Sequence, residues 1–204
     1  MTLALIDYQA GNLHSVANAL RAAGGEPVIT ADPDLVAHAD RIVLPGVGAF
    51  GACAGALRAV PGLVEAMERR VRGEGAPFLG ICVGMQLMAD AGEELGSHAG
   101  LGWIGGTVRR LEPATMDAKV PHMGWNDVRP LAPHPLVEPG EAYFLHSYAF
   151  NVADGSGGVI ATTDHAGPVT AAIGRDTMVG VQFHPEKSQR YGLDLLARFL
   201  RWKP

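Results

Sequence analysis

Cysteine is scarce in this chain, with two among 204 residues. Their placement suggests no disulfide framework, which excludes a stapled secreted scaffold and makes a reducing cytoplasm the expected setting. Charge is also sparse: 18% of residues carry it, and the net charge of −5 comes with no long basic run. Nothing in that pattern is suited to neutralising a phosphate backbone, so nucleic acid is not an expected partner. No apolar stretch approaches the roughly eighteen residues of a membrane span. The opening MTLALIDYQAGN lacks the positive region that begins a secretory signal. Repeats, low-complexity tracts and linker-like stretches are missing too, so one domain over 1–204 is expected. What the chain does have is apolar content, 48%, enough for a full globular core.

The most informative stretch is PFLGICVGMQLM at 77–88. A short β-type run ends in Gly80-Ile81-Cys82-Val83-Gly84, and helix-compatible residues follow. Glycine on both sides of a central nucleophile is what a sharp strand-to-helix elbow requires, because no Cβ then blocks the close approach of strand and helix. Cys82 would open that helix, where free N–H groups and the helix dipole favour a thiolate. By itself the elbow leaves a second reading open, in which Cys82 is simply a small buried residue. A hundred residues later comes GVQFHPEKSQ at 180–189. A nucleophilic cysteine needs a base, and the base needs a group that fixes its tautomer. His184 and Glu186 stand two apart after a strand-like run, a spacing that puts them on one side of an extended chain, and Pro185 stiffens the pair. Cys53, the other cysteine, has no preceding strand or partner motif and reads as a packing residue.

The coarse pattern is α/β. Strands are expected at 3–8, 27–30, 41–44 and near Phe78, with a helix from Leu13 whose apolar face is Leu13, Val16, Ala17 and Leu20, and another at 63–72. Such alternation implies an open, mostly parallel sheet with helices on both faces. Beyond about Gly100, strand follows strand (106–111, 142–150, 159–163, 169–173, 178–183), which suggests antiparallel additions to the sheet in the C-terminal half. Leu193, Leu196, Ala197 and Leu200 mark a last helix. The loop Gly46-Val-Gly-Ala-Phe-Gly51 satisfies G-x-G-x-x-G, but a dinucleotide site also wants an acid about twenty residues on at the end of a second strand. The acids in range, Glu65 and Glu68, fall inside a helical pattern. Of the eight histidines, His14, His38, His98, His134 and His165 read as surface residues. No pair has the spacing of a metal site, so no metal or other cofactor is expected.

The elbow and the His-Pro-Glu unit together resemble the class I, triad-type glutamine amidotransferases, and the resemblance runs through DYQAGNLHSV (7–16), LPGVGAF (44–50), KVPHMGWN (119–126), YFLHSY (143–148) and HPEKSQ (184–189). It is closest to the members that serve histidine biosynthesis by feeding ammonia to a separate (β/α)₈-barrel cyclase. It implies that Cys82, His184 and Glu186 form a triad that hydrolyses glutamine. It further implies that the N–H of Val83 and one from the loop at Val47 and Gly48 receive the oxyanion. Gln86 with the backbone of His146, Ser147 and Tyr148 would hold glutamine, and Glu94 would meet its α-amino group. Asn12, Met123, Trp125, Tyr143 and Lys187 would face the cyclase in a 1:1 heterodimer. A triad glutaminase of the pyridoxal phosphate pathway is disfavoured by VPHMGWN and HPEKSQ. A non-catalytic relative would have lost the cysteine, histidine or glutamate, and a cysteine peptidase would lack the His-Pro-Glu placement.

Overall fold

Leu3–Ile6 (β1), Arg41–Leu44 (β3), Phe78–Ile81 (β4) and Met178–Val181 (β13) are buried along their whole length, as strands covered on both faces must be. A computed structural model of the chain describes every residue except Pro113, Met116, Asp117 and Gly157. With Pro27–Thr30 (β2) at the edge, the order β2-β1-β3-β4-β13 is parallel throughout. From β13 the sheet continues antiparallel through Pro168–Arg175 (β12), Val159–Asp164 (β11), His122–Pro130 (β8) and Gly140–His146 (β9). Ala91–Gly92 (β5), His98–Ala99 (β6), Gly106–Arg110 (β7) and Tyr148–Val152 (β10) make a second, four-stranded sheet in the order β10-β7-β5-β6.

The first crossover, through Leu13–Ala22 (α1), runs from β1 outward to β2. The later ones, through Pro33–Ala37 (α2), Phe50–Ala59 (α3) and Leu63–Glu68 (α4), run the opposite way to β3 and β4. Right-handed crossovers in opposite directions place their helices on opposite faces. Accordingly, α1 packs with the C-terminal helix Gln189–Arg201 (α6), while α4 packs against α2 and α3. No helix among the described residues is long and apolar enough to cross a membrane.

Several elements differ from the sequence reading. The run 142–150 is two strands in two sheets: the chain leaves the large sheet after His146 and joins the small one at Tyr148. Ser147 is the crossing point, and its carbonyl accepts the Leu111 N–H at 2.9 Å. The run 106–111 likewise belongs to the small sheet, so the additions are divided between two sheets. Helix α3 was not anticipated, because Gly51 and Gly55 interrupt its run of alanines. The helix expected at 63–72 is regular to Glu68 and then widens into a π-type turn over Arg69–Gly73.

Candidate active site

β3, β4 and β13 are neighbours and parallel, with Leu44 opposite Gly80 and Val181 opposite Ile81. The loops leaving their C-terminal ends therefore meet at one edge: 45–49 after β3, Cys82 after β4, and 182–187 after β13. Crevices at the carboxyl ends of parallel strands are where α/β sheets build sites. The elbow is tight: a Cβ on Gly84 would lie 1.9 Å from the Leu44 carbonyl, and one on Gly80 would lie 2.7 Å from the Gly84 carbonyl. Cys82 takes φ 53° and ψ −112°, a backbone conformation that non-glycine residues hold only under constraint from their surroundings. Its N–H donates to Val181 O at 2.8 Å. The following helix, Val83–Gln86 (α5), is a single turn, so the dipole invoked from sequence is short. The groups that face the sulfur are instead His184 and Gln182, whose Nε2 lies 3.7 Å away.

His184 Nδ1 donates to Glu186 Oε1 at 2.8 Å, and both side chains are buried. The reason differs from the one inferred from spacing. Glu186 lies in a 3₁₀ turn, Pro185–Lys187, while His184 remains extended, so the turn folds the carboxylate back onto the ring. Burial disfavours the imidazolium, but hydrogen bonds and charge from Cys82 and Glu186 outweigh it, and the His184 pKa is pushed up to about 10. These three side chains come together as a buried thiol, an imidazole and a carboxylate, the set that nucleophilic catalysis by a cysteine requires.

They open on a cleft of about 290 Å³ lined by Val47, Gly48, Val83, Gln86, Glu94, His146, Ser147, Tyr148 and Lys187 among others, near the small end of the range for small-molecule sites. Val83 is the first residue of α5, so its N–H has no intrahelical partner. The Gln86 amide donates to Tyr148 O at 3.0 Å and to Gln182 Oε1 at 2.9 Å. Glu94 lines the cleft and also accepts the Phe50 N–H at 2.8 Å, closing the start of α3 where Ala49 offers no cap.

The loop 45–48 is held from beneath by two side chains. The buried Tyr8 hydroxyl donates to Pro45 O at 2.7 Å, and the buried Cys53 thiol donates to Val47 O at 3.3 Å. Burial pushes both groups to higher pKa, keeping them protonated donors. Cys53 is thus more than packing. Gln182, the part played by Tyr8 and the hydrogen bond of Cys53 escaped the sequence reading. A polar residue inside the apolar run of 178–183 was the one signal that could have flagged Gln182.

The residues expected at a partner surface are divided. Met123 is 66% and Trp125 47% exposed, on the outward side of β8, with Leu145 and Tyr143 as their cross-strand neighbours. Lys187 lies over the Tyr143 ring, 5.9 Å from its centroid. Asn12 caps α1 by accepting the Ser15 N–H at 3.4 Å, beside the turn that carries Glu186. His165 is not a free surface residue: it stacks on His122 with ring centroids 4.2 Å apart. His98 and His134 are half-buried.

The model of the family described as glutamine amidotransferase class-I matches residues 4–202. A protein of Zymomonas mobilis called imidazole glycerol phosphate synthase subunit HisH is 61% identical over all of this chain and 97% of its own length. Proteins of the same name from Rhodospirillum rubrum and Ruegeria pomeroyi are 53% and 52% identical, each over the full length of both chains. Among solved structures, a glutamine amidotransferase superposes with a TM-score of 0.76 at 16% identity, over 98% of each chain. The Thermotoga maritima PurLQS structure gives 0.76 at 18% identity, over 98% of this chain and 97% of that one. With the match spanning nearly the whole sequence, the chain belongs to the class I glutamine amidotransferases, in the branch that holds the HisH subunits of imidazole glycerol phosphate synthase.

Proposed function

We propose that this chain, acting as a single glutamine amidotransferase domain, hydrolyses glutamine to glutamate and ammonia for a separate cyclase subunit in histidine biosynthesis. The observation that carries the reading is the buried pair of His184 and Glu186, 2.8 Å apart, set against Cys82 at the mouth of an amino-acid-sized cleft. The Cys82 thiolate attacks the side-chain amide carbon. N–H groups of Val83 and of the loop at Val47 and Gly48 receive the oxyanion, each such donor being worth roughly 10²–10³ in rate. His184, charged at working pH, gives its proton to the leaving ammonia, and Glu186 holds the ring. Water then attacks the γ-glutamyl thioester with the now neutral His184 as base, releasing glutamate and restoring the Cys82 thiolate beside the charged imidazole. Gln86 and the 146–148 backbone hold the substrate, and Glu94 offers a carboxylate to its ammonium.

Ammonia released into water is protonated and lost as a nucleophile, which favours direct delivery. The partner in this reading is a (β/α)₈-barrel cyclase in a 1:1 cytoplasmic heterodimer. It joins ammonia to PRFAR, giving imidazole glycerol phosphate and AICAR. The exposed Met123 and Trp125, with Tyr143, Lys187 and Asn12, form its contact surface; aromatic and methionine side chains suit interface cores. The test is glutamate release from glutamine by the chain alone, with the cyclase, and with cyclase plus its nucleotide. A large rise in the full mixture supports the reading. A rise only with a different synthase overturns the pathway, and silence throughout overturns the glutaminase.

A further inference from the structure

Behind the cleft lies a line of polar groups that the triad does not use, running from the half-exposed Asn126 to the buried His122 and His146. Asn126 on β8 sits between Asp164 O, 2.7 Å from its Nδ2, and the Asp127 N–H, 2.8 Å from its Oδ1. A carbonyl can only accept and an N–H can only donate, so the amide orientation is fixed from both sides. The second Asn126 Nδ2 proton then points at His122 Nε2, 3.0 Å away, which must be unprotonated. The His122 proton is therefore on Nδ1, which lies 3.0 Å from His146 Nε2. That nitrogen must accept, leaving the His146 proton on Nδ1, 2.9 Å from Tyr148 O.

Starting instead from Tyr148, whose carbonyl can only accept, gives the same two tautomers. The assignments from opposite ends agree with no proton missing or in excess. Donation from the β8–β11 edge through His122 and His146 ends at the Tyr148 carbonyl. Gln86 donates to the same carbonyl from the other side and also to Gln182, whose amide donates to the Cys82 sulfur. His122 is further fixed by stacking between Phe144 and His165, with centroids 4.7 Å and 4.2 Å away.

We propose that His122 and Asn126 are positioning residues for glutamine: through His146 they set the Tyr148 carbonyl, and with it the 146–148 segment, relative to Cys82. The inference rests on the glutaminase reading for its consequence, although the relay itself does not. Ser147 is where the chain passes from one sheet to the other: His146 is paired with His122 and Tyr148 with Arg110, and the His146 Nδ1 bond to Tyr148 O ties the two sides of that junction together. The substrate-holding backbone is thus oriented from a strand that does not line the cleft at these positions.

The test has two arms. In the ¹⁵N-labelled, unmodified protein at neutral pH, ring-nitrogen shifts must report both His122 and His146 as neutral with the proton on Nδ1, opposite to the Nε2–H form that predominates in water. Either ring in the Nε2–H form overturns the relay, whatever the enzyme's activity. In the complex with the cyclase, His122→Phe retains the stacked ring without its nitrogens, and Asn126→Ala removes the first donor. Each is expected to raise KM for glutamine about tenfold, the order expected for one buried hydrogen bond lost, with kcat little changed. Unchanged KM in variants whose melting shows them folded overturns the positioning role. No glutamine hydrolysis by the unmodified complex sinks the glutaminase reading instead, and the tautomers still decide the relay.

Discussion

Cys82 and Cys53 are both buried beside the same loop, yet one attacks in the proposed chemistry and the other only donates to a carbonyl. Replacing Cys82 with alanine should abolish synthesis from glutamine while leaving synthesis from ammonium salts intact in the complex with the cyclase. Loss of both activities would instead make Cys82 a folding residue. His184 carries a second expectation. Its pKa is held up to about 10, with Cys82 and Glu186 overcoming burial, so the proton donor for ammonia is lost as pH rises through that value. The alkaline limb of the glutaminase profile should fall near pH 10, and Glu186→Gln should move it to lower pH. The same shift means the His184 contribution to stability is whole below its ordinary 6.5 and lost as pH rises from there through about 10. These residues were legible in the sequence because glycine spacing and His-Pro-Glu are short-range signals. The geometry behind them was less so: a 3₁₀ turn, not an extended pair, joins His184 to Glu186. Gln182, Tyr8 and the role of Cys53 arise from contacts between distant segments, to which local pattern is blind.

At the scale of elements, β8 shows why parts of the fold stayed hidden. HMGWNDVRP contains Gly, Asn, Asp and Pro, all poor strand formers, yet it pairs along seven positions with β9. Its alternation has little apolar–polar contrast, because the inward side carries His122 and Asn126 and the outward side Met123 and Trp125. Helix α3 was masked by Gly51 and Gly55, although its alanines, Leu57 and Arg58 favour a helix. By contrast α1 and α6 announced themselves through apolar residues at i, i+3 and i+4. The outward side of β8 yields an expectation of its own. Trp125→Ala should weaken association with the cyclase by roughly 2 kcal/mol or more, as central aromatic anchors do. Titration calorimetry would measure it, and an unchanged Kd would move the contact surface elsewhere.

For the whole molecule, the buried histidines set the acid limit of stability. Burial lowers His122 to about 4 and His146 to about 3, so both stay neutral in the native state while the unfolded chain takes up protons below about 6.5. The unfolded state then binds more protons, and stability must decline as pH falls from 6.5 through about 4. Melting curves between pH 7 and 4.5 should show a falling Tm, and His122→Phe should flatten that slope. A Tm independent of pH in that window would contradict neutral burial of the pair. The parallel half of the sheet was readable from sequence because its central strands are almost wholly apolar, Arg41 at the start of β3 apart. The division of the later strands between two sheets was not, since one unbroken run, 142–150, serves both.

The two carbonyls anchored by Tyr8 and Cys53 also bear on speed. Between them lies one peptide unit, Gly46–Val47, that takes no hydrogen bond among the described residues. Such a unit can turn about the axis joining its two Cα atoms by opposite changes in ψ of Gly46 and φ of Val47, leaving both flanking carbonyls where they are. A reorientation of that kind displaces almost no solvent and moves no helix or strand. Its rate is set by a local torsional barrier, on the timescale of loop motions rather than that of domain closure.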